Sequence, residues 1–348
     1  MSERAVAMLG LCDGMKRTNL LVGLAYVMVA AACGSNQPAA HTTPSPSPPP
    51  PAISSPSPSP SPPPPQRQEP ALPAPVEETG AAAAGGSLYV MGGFNAAGAS
   101  LDSVYVFDGS AWAAGPRLPL PVDHPSSATL DDRVYLAGGH SNGRDSARVF
   151  RLDSDHWTEL AVMHFARGGH ALVAAAGKLY AIGGNNSRGN VGPAEAYDPA
   201  TNAWTVLPSL PVARNHVSGF SAGGAACVAG GRSPTTARVD CFDPAAGVWS
   251  RLPDLPQPAS GAGATTFASG DVVMTGGQDA SETRIVDQLA FYPPGGAWTS
   301  SEAMMSPRHG FELAVFEGRA WACGGGSAPG LHPVATCTSL GDRPSPNN

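Results

Sequence analysis

The sequence predicts an all-β fold, a six-bladed β-propeller with four antiparallel strands per blade, and three observations predict it. Six Gly-Gly doublets recur at intervals of 45 to 48 residues. Each doublet ends a short apolar run, and a tryptophan follows five of them by 19 to 22 residues. Four short segments per interval, bounded by Gly, Pro, Asn or Asp, indicate four strands, and radial repetition of such units gives propeller blades. The doublets are Gly92-Gly93, Gly138-Gly139, Gly183-Gly184, Gly230-Gly231, Gly276-Gly277 and Gly324-Gly325.

Each interval contains the same four predicted strands in the same order. The innermost strand is a run rich in Ala, Gly and Val, and the second strand ends at the doublet. The third strand ends in an aromatic-Asp or aromatic-Pro pair, and the fourth begins at the tryptophan. A glycine doublet suits a turn that needs positive φ and close backbone approach. A tryptophan is large enough to fill the wedge between neighbouring blades, so we expect both residue types to be structural.

The order Gly-Gly, Tyr-Asp-Pro, Trp, Arg-x-x-His resembles the kelch repeat family. The best copy runs from Leu179 to Trp204, with Leu-Tyr-Ala-Ile-Gly-Gly, Glu-Ala-Tyr-Asp-Pro and Asn-Ala-Trp in succession. The resemblance extends over residues 80–340, with six copies in phase. It implies a six-bladed propeller.

A closed ring needs a fourth strand for the last blade, because two exposed sheet edges would otherwise remain. After its doublet, blade 6 reaches Gly341 without a further tryptophan and without room for an outer strand. Residues 69–75, which begin the predicted propeller, resemble the segments that follow the outer strands of the middle blades. Prolines are tolerable in an outer edge strand. We therefore expect the N-terminal segment to complete blade 6, with a three-stranded last blade as the alternative.

Residues 1–32 are predicted to be an export signal. Lys16-Arg17 precede an uncharged apolar run from Leu20 to Ala32, which is too short for a comfortable membrane span. Cys33 directly follows small residues, which resembles a bacterial lipoprotein signal and implies lipidation of Cys33. Ala30 departs from that pattern, so ordinary signal-peptidase cleavage and secretion stay open. The true start could be Met15, since acidic residues are unusual ahead of such a core.

The resemblance to lipoprotein signals implies a bacterial cell envelope location, at the outer membrane and facing the periplasm or the exterior. Gly34 follows the cysteine, where lipoproteins kept at the inner membrane often carry Asp. Residues 33–68 form the expected linker, rich in Pro and Ser, that stays extended as polyproline II. We expect the propeller to occupy residues 69–341 and a disordered tail to occupy residues 342–348.

Composition excludes one class of partner. The net charge is −7, charged residues make up 14% of the chain, and only two lysines occur. The arginines are scattered over many blades and form no basic stripe, so nucleic acid is not expected as a partner.

Four of the six cysteines form two pairs with equal separation. Cys227 and Cys241, and likewise Cys323 and Cys337, are 14 residues apart, with the first on the predicted second strand and the other on the third. Antiparallel neighbours bring Cβ atoms within disulfide reach, and an exported compartment permits the bond. Metal binding is the alternative, although no zinc-site spacing of His and Cys accompanies these residues.

Catalytic motifs are not apparent. Gly-x-Ser-x-Gly, His-Glu-x-x-His and the phosphate-binding loop do not occur, and Glu312 is the only carboxylate well inside a predicted innermost strand. We therefore expect no catalytic residue, cofactor or resident metal. His170, His216 and His309 are assigned to the family's Arg-x-x-His place, with a structural role in the turn. The alternative is an exported sugar-active enzyme, because some kelch propellers resemble galactose oxidase or sialic acid mutarotase.

The resemblance to kelch proteins that grip peptides implies a ligand face made by loops at one end of the channel. The turns that enter each blade and the loops after each doublet should share that end. They present hydrogen-bond donors suited to an acidic or carbonyl-rich protein or glycan, although several of the arginines could instead only pair with neighbouring turns. The candidate ligand-face residues are Arg167, Arg214, Arg308, Arg188, Arg232, His140, Asn185 and Gln278.

Overall fold

A computed structural model describes residues 65–342 as six four-stranded antiparallel sheets arranged around a central channel. The predicted fold class is confirmed. The predicted signal segment, Cys33, residues 33–64 of the linker and residues 343–348 lie outside the described residues. Residues 65–342 contain no helix with the length and apolar character needed to cross a bilayer.

Blades 1 to 3 follow one another along the chain, each from its innermost strand outward. Blade 1 contains β2 (Gly80–Ala84), β3 (Ser87–Met91), β4 (Val104–Phe107) and β5 (Trp112–Ala114); blade 2 contains β6 (Ser126–Leu130), β7 (Arg133–Ala137), β10 (Val149–Asp153) and β11 (His156–Glu159); blade 3 contains β12 (Gly168–Ala175), β13 (Lys178–Asn186), β15 (Pro193–Asp198) and β16 (Ala203–Ser209). The loop of blade 2 adds the hairpin β8 (His140–Ser141) and β9 (Arg144–Asp145), and that of blade 3 adds β14 (Gly189–Asn190).

Blades 4 to 6 repeat this order, but blade 6 takes its outer strand from the other end of the propeller. Blade 4 contains β17 (Ser218–Ala222), β18 (Ala225–Ala229), β19 (Val239–Asp243) and β20 (Val248–Leu252); blade 5 contains β21 (Gly263–Thr266), β22 (Val272–Thr275), β23 (Gln288–Tyr292) and β24 (Thr299–Ala303); blade 6 contains β25 (Leu313–Phe316), β26 (Arg319–Cys323), β27 (Cys337–Gly341) and β1 (Gln66–Glu69).

Strand β1 closes the ring. It pairs antiparallel with β27 from Gln66 opposite Leu340 to Glu69 opposite Cys337. The strand therefore begins at Gln66, three residues before the expected start of the propeller at residue 69. Leu72 follows the strand, is buried, and donates its backbone N–H to the carbonyl of Ala335 at 2.8 Å. The N-terminal segment thus gives blade 6 its fourth strand, as expected, and covers an edge that would otherwise be open.

The glycine doublets join each blade to the next. The N–H of the second glycine donates to a carbonyl at the entrance of the following blade, at 2.8 to 3.0 Å in all six cases. Every doublet glycine has positive φ. A Cβ on the first glycine would lie only 2.3 to 2.8 Å from that same carbonyl oxygen. Any larger residue would push the blades apart, which explains why both positions are glycine in every repeat.

The tryptophans fill the spaces between blades. Trp112, Trp157, Trp204 and Trp249 each donate their indole N–H, at 2.8 to 3.0 Å, to a carbonyl of the preceding blade. The acceptor of Trp112 is Pro70, which follows β1, so blade 1 is held to blade 6 in the same way. The indole N–H of these four tryptophans is satisfied while the ring packs between blades, whereas that of Trp298 in blade 5 has no partner among residues 65–342.

Both expected disulfides are present. Cys227 is bonded to Cys241 in blade 4, and Cys323 is bonded to Cys337 in blade 6. In each case the two cysteines stand directly opposite one another on neighbouring strands. The metal-binding alternative for these four residues is therefore excluded.

Candidate functional site

A ring of backbone hydrogen bonds surrounds the central channel where the chain enters each blade. Six residues, one per blade, each donate an N–H to the ring carbonyl of the preceding blade, at 2.5 to 3.0 Å, and the chain of bonds closes on itself. All six have φ between 51° and 65°. The ring residues are Glu78, His124, Gly169, His216, Gly261 and Gly310.

The ring lies at the end of the channel that carries the long loops. Bridges pair the chain beside each ring position with the loop after the doublet of the same blade, for example Asp123 with His140 and Asn215 with Arg232. The two sets of loops therefore share one end, as expected. We call this end, with its ring and surrounding loops, the loop end of the channel.

The channel encloses a cavity of about 410 Å³, lined by the ring residues and the innermost strands. Glu312 spans it from blade 6. Its carboxylate accepts hydrogen bonds from the N–H of Ala81 in blade 1 and from the hydroxyls of Ser126 and Ser127 in blade 2. Burial raises the pKa of Glu312, and these hydrogen bonds oppose the rise. Because its oxygens accept hydrogen bonds from two other blades, Glu312 links three blades of the channel wall.

Three ring positions carry side chains that can bind a ligand: Glu78, His124 and His216. The other three are glycine, for which positive φ carries no steric cost. A non-glycine residue in this conformation is disfavoured by roughly 1 kcal/mol, so three such residues on one ring represent strain held in place by the surrounding structure. One ligand atom from each of the three side chains lies within 4.8 Å of the other two. The backbone hydrogen bonds of the ring thus hold these three side chains close to one another.

His124 is held between two carboxylates. Its Nδ1 lies 2.7 Å from Oδ1 of Asp123, and its Nε2 lies 3.4 Å from Oε2 of Glu78. Asp123 is buried and also accepts the Ser100 hydroxyl at 2.5 Å. Burial alone would lower the pKa of His124, but Glu78 and Asp123 together raise it. His124 is therefore the more basic of the two ring histidines.

His216 is held in one tautomer by its neighbours. Its Nδ1 lies 2.6 Å from Oδ1 of Asn215, and its Nε2 lies 2.8 Å from Nη2 of Arg232. A guanidinium can only donate, so Nε2 is the acceptor and Nδ1 carries the proton. Burial, and then the positive charges nearby, including His124 and Arg232, hold the pKa of His216 well below its usual range. His216 therefore presents a neutral lone pair at the ring.

The structure contradicts the ligand-face role of the three arginines that enter blades 3, 4 and 6. Arg167, Arg214 and Arg308 are 0%, 0% and 1% exposed. Each donates to the carbonyl of the first doublet glycine of its own blade. Their donors point into the blade, so the arginines brace the turn and cannot contact a partner at the surface. Pairing with neighbouring turns, the alternative left open from the sequence, describes them correctly.

The other five candidate residues lie at the loop end at different depths. Arg188 is exposed, while His140, Asn185 and Arg232 are half-buried. Gln278 is 6% exposed and accepts a hydrogen bond from Arg232 at 3.4 Å. Only Arg188, and to a smaller extent the three half-buried residues, can meet a partner directly.

The assignment of His170, His216 and His309 to one equivalent place was wrong. They follow their arginines by three, two and one residues, respectively. His216 lies on the ring, and His309 directs Nε2 at the carbonyl of Ala328 at 3.0 Å. His170 is buried, and neither ring nitrogen has a hydrogen-bond partner among residues 65–342.

Analysis of the sequence missed Glu78 and His124, because no arginine precedes them. A signal was available: the ring residue lies 14 residues before the first doublet glycine in five blades and 15 before it in blade 5. Counting 14 or 15 residues back from each doublet identifies all six ring residues. It does not reveal that the three side chains converge, since that depends on the curvature of the ring.

Comparison with known proteins finds sequence similarity to kelch-repeat proteins. The profile of the KLHDC2/KLHL20/DRC7 Kelch-repeats domain matches residues 64–231. Kelch-like protein 35 of Mus musculus is 32% identical over 130 residues, which is 37% of this chain and 22% of the mouse protein. Kelch-like protein terF of Aspergillus terreus is 24% identical over 291 residues, 75% of this chain and 63% of the fungal protein. The chain thus spans less than two thirds of the length of these relatives.

A solved structure shows the same architecture. The structure of YjhT superposes with a TM-score of 0.64 and 17% sequence identity, over 78% of this chain and 99% of YjhT. At that identity the likeness concerns the fold. With six in-phase repeats, a closed ring of four-stranded blades and matches to kelch sequences, the chain is a six-bladed β-propeller whose repeats are similar to those of kelch proteins.

Proposed function

We propose that this propeller is a binding module whose partner docks on the loop end. The observation that carries the proposal is a pair of loops on blades 2 and 3, at the loop end, that are hydrogen-bonded to one another. The β8–β9 hairpin carries Arg144 and the loop before β14 carries Arg188, and both side chains are exposed. The backbone N–H of Ser187 donates to Oδ2 of Asp145 at 2.8 Å, which ties the two loops together.

The chemistry of these loops favours an acidic or carbonyl-rich partner, either a protein segment or a glycan. An arginine guanidinium presents several donors in a fixed plane and forms bidentate contacts with carboxylates. The hydrogen bond between the two loops restricts them before binding, which lowers the entropy that is lost when a partner binds. Loops held on a rigid scaffold are also where binding residues concentrate.

Charge reversal at the loop end tests this proposal. The double variant Arg144→Glu, Arg188→Glu should lose partners that the wild-type protein captures by crosslinking in a bacterial envelope extract. A matched control on the same two blades is Arg133→Glu, Lys178→Glu, which makes the same charge change at the opposite end of the channel, where both side chains are exposed. Equal capture by wild type and both variants, or equal loss in both variants, would overturn the loop-end assignment.

We also propose that the protein is exported and anchored in the bacterial envelope through Cys33. The two disulfides support export, because such bonds persist in oxidising compartments. A single acyl chain binds membranes only marginally, so firm anchoring requires the several chains that such lipoproteins carry. Incorporation of labelled palmitate into wild type and Cys12→Ser, but not into Cys33→Ser, is the expected result. If no variant takes up label and the protein appears in the medium, it is secreted without an anchor.

A further inference from the structure

We propose that Glu78, His124 and His216 form a binding site for a divalent transition metal, with Zn²⁺ as the ion tested, at the loop end of the channel. Two imidazoles and one carboxylate are a donor set that zinc and related metals use, while Ca²⁺ and Mg²⁺ prefer oxygen ligands. The three residues come from blades 1, 2 and 4 and are fixed by the backbone ring.

The donor separations fit one ion with small movements. Two donors about 2.1 Å from a tetrahedral zinc ion lie about 3.4 Å apart. Nε2 of His124 and Oε2 of Glu78 are already 3.4 Å apart. All three donors lie within 4.8 Å of one another, so the side chain of His216 has to shift by on the order of 1 Å. Rotation about its side-chain bonds supplies this movement without a change in the ring.

The hydrogen bonds of both histidines prepare Nε2 for a metal. Asp123 accepts from Nδ1 of His124, and Asn215 accepts from Nδ1 of His216. Metal-binding histidines commonly donate their other nitrogen to a carboxylate or carbonyl oxygen, which fixes the tautomer and orients the ring. With Nδ1 protonated, Nε2 of His124 directs a lone pair towards the Glu78 carboxylate. At 3.4 Å from the Glu78 oxygen, Nε2 holds either a proton or a metal ion that displaces that proton.

Arg232 limits access to the site. Its Nη2 donates to Nε2 of His216 at 2.8 Å, where the metal would bind. It also has Glu282, at 3.2 Å, as a partner further from the ring. Metal binding therefore breaks the hydrogen bond from Arg232 to His216 and leaves the ion pair of Arg232 with Glu282 available. A three-ligand site would keep at least one coordination position open, and all three residues line the channel cavity.

Titration of the purified full-length protein with Zn²⁺ in competition with a chelator, and with Co²⁺ followed by visible absorption, tests the proposal. We expect one ion per chain and Co²⁺ bands of a four- or five-coordinate site. His124→Gln and His216→Gln should each weaken binding at least ~100-fold, and Asp123→Asn about 10- to 100-fold through loss of the orienting contact. The control His156→Gln, an exposed histidine on β11, should bind as wild type does.

Arg232→Gln gives the discriminating result, because a poorly folded variant cannot gain affinity. We expect it to bind Zn²⁺ about tenfold more tightly, since no guanidinium competes for His216. Zinc binding that is absent in wild type and in Arg232→Gln would overturn the proposal. It would also be overturned if His156→Gln lowered affinity as much as His124→Gln, since binding would then be non-specific.

Discussion

Blades 3 and 4 differ from blade 6 in what surrounds a buried arginine. In blade 3, Nη2 of Arg167 lies 2.9 Å from Oε1 of Glu195, and in blade 4, Nη1 of Arg214 lies 2.9 Å from Oδ2 of Asp240. The equivalent residue in blade 6 is Thr338, and among residues 65–342 no carboxylate is hydrogen-bonded to Arg308. Burial lowers the pKa of Arg308 to about 10.

Blades 1, 2 and 5 have neither the buried arginine nor the carboxylate. Their residues at the arginine and carboxylate positions are Val76 with Tyr105, Val122 with Phe150, and Ala259 with Ala290. All six entrance residues nevertheless accept the same backbone hydrogen bond from a doublet glycine. The backbone contact therefore builds the ring of blades, and the arginine is an addition that comes with a carboxylate in blades 3 and 4 but without one in blade 6.

The largest effect is expected when a paired arginine is removed. Arg167→Met takes the guanidinium away from buried Glu195 and leaves it only His164 and the Phe165 N–H as partners, which should lower the free energy of unfolding by about 3 to 5 kcal/mol. Arg308→Met leaves only backbone carbonyls without donors and removes an unpaired charge, so a loss of about 1 to 3 kcal/mol is expected. Chemical denaturation of both variants checks the order. A larger loss for Arg308→Met would contradict the distinction between the blades.

The disulfides of blades 4 and 6 should contribute similar amounts to stability, unlike the arginines of these blades. Each closes a loop with a sequence separation of 14 residues, so restriction of the unfolded chain predicts a similar contribution of ~3 kcal/mol from each. Paired Cys→Ser variants of blade 4 and blade 6 should therefore lose similar stability in denaturation. A much larger loss in blade 6 would mean that its disulfide replaces the missing carboxylate.

The half-buried ion pair of Arg151 and Asp153 in blade 2 should contribute least. Arg151, together with Thr158 and Arg133, lowers the pKa of Asp153 to about 2, against burial that opposes the shift. Because the pKa is lower in the folded state, the stabilisation is present above about pH 4 and is lost as pH falls towards 2. Asp153→Asn should cost less than ~1 kcal/mol at pH 7, and the difference from wild type should vanish near pH 2 in thermal melts. A difference that persists at pH 2 would require a role other than the ion pair.

The repeat made the fold predictable, while the site depended on details inside the repeat. The doublets occur six times because each makes the same contact between blades, and four of the five repeated tryptophans also make one common contact, so their spacing alone identified the blades. The arginines were misplaced on the surface because the sequence does not show that Glu195 and Asp240 lie beneath them. Glu78 and His124 were missed because they replace glycine at a ring position that is defined by a backbone bond.

The most direct test of the difference between the blades is a pair of double-mutant cycles. One cycle combines Arg167→Met with Glu195→Gln, and the other combines Arg308→Met with Thr338→Val, each measured by denaturant unfolding. A coupling free energy of about 2 to 3 kcal/mol in blade 3 and below about 0.5 kcal/mol in blade 6 is expected. Equal coupling in the two blades would contradict the account, since the arginines would then be held in the same way with and without a carboxylate.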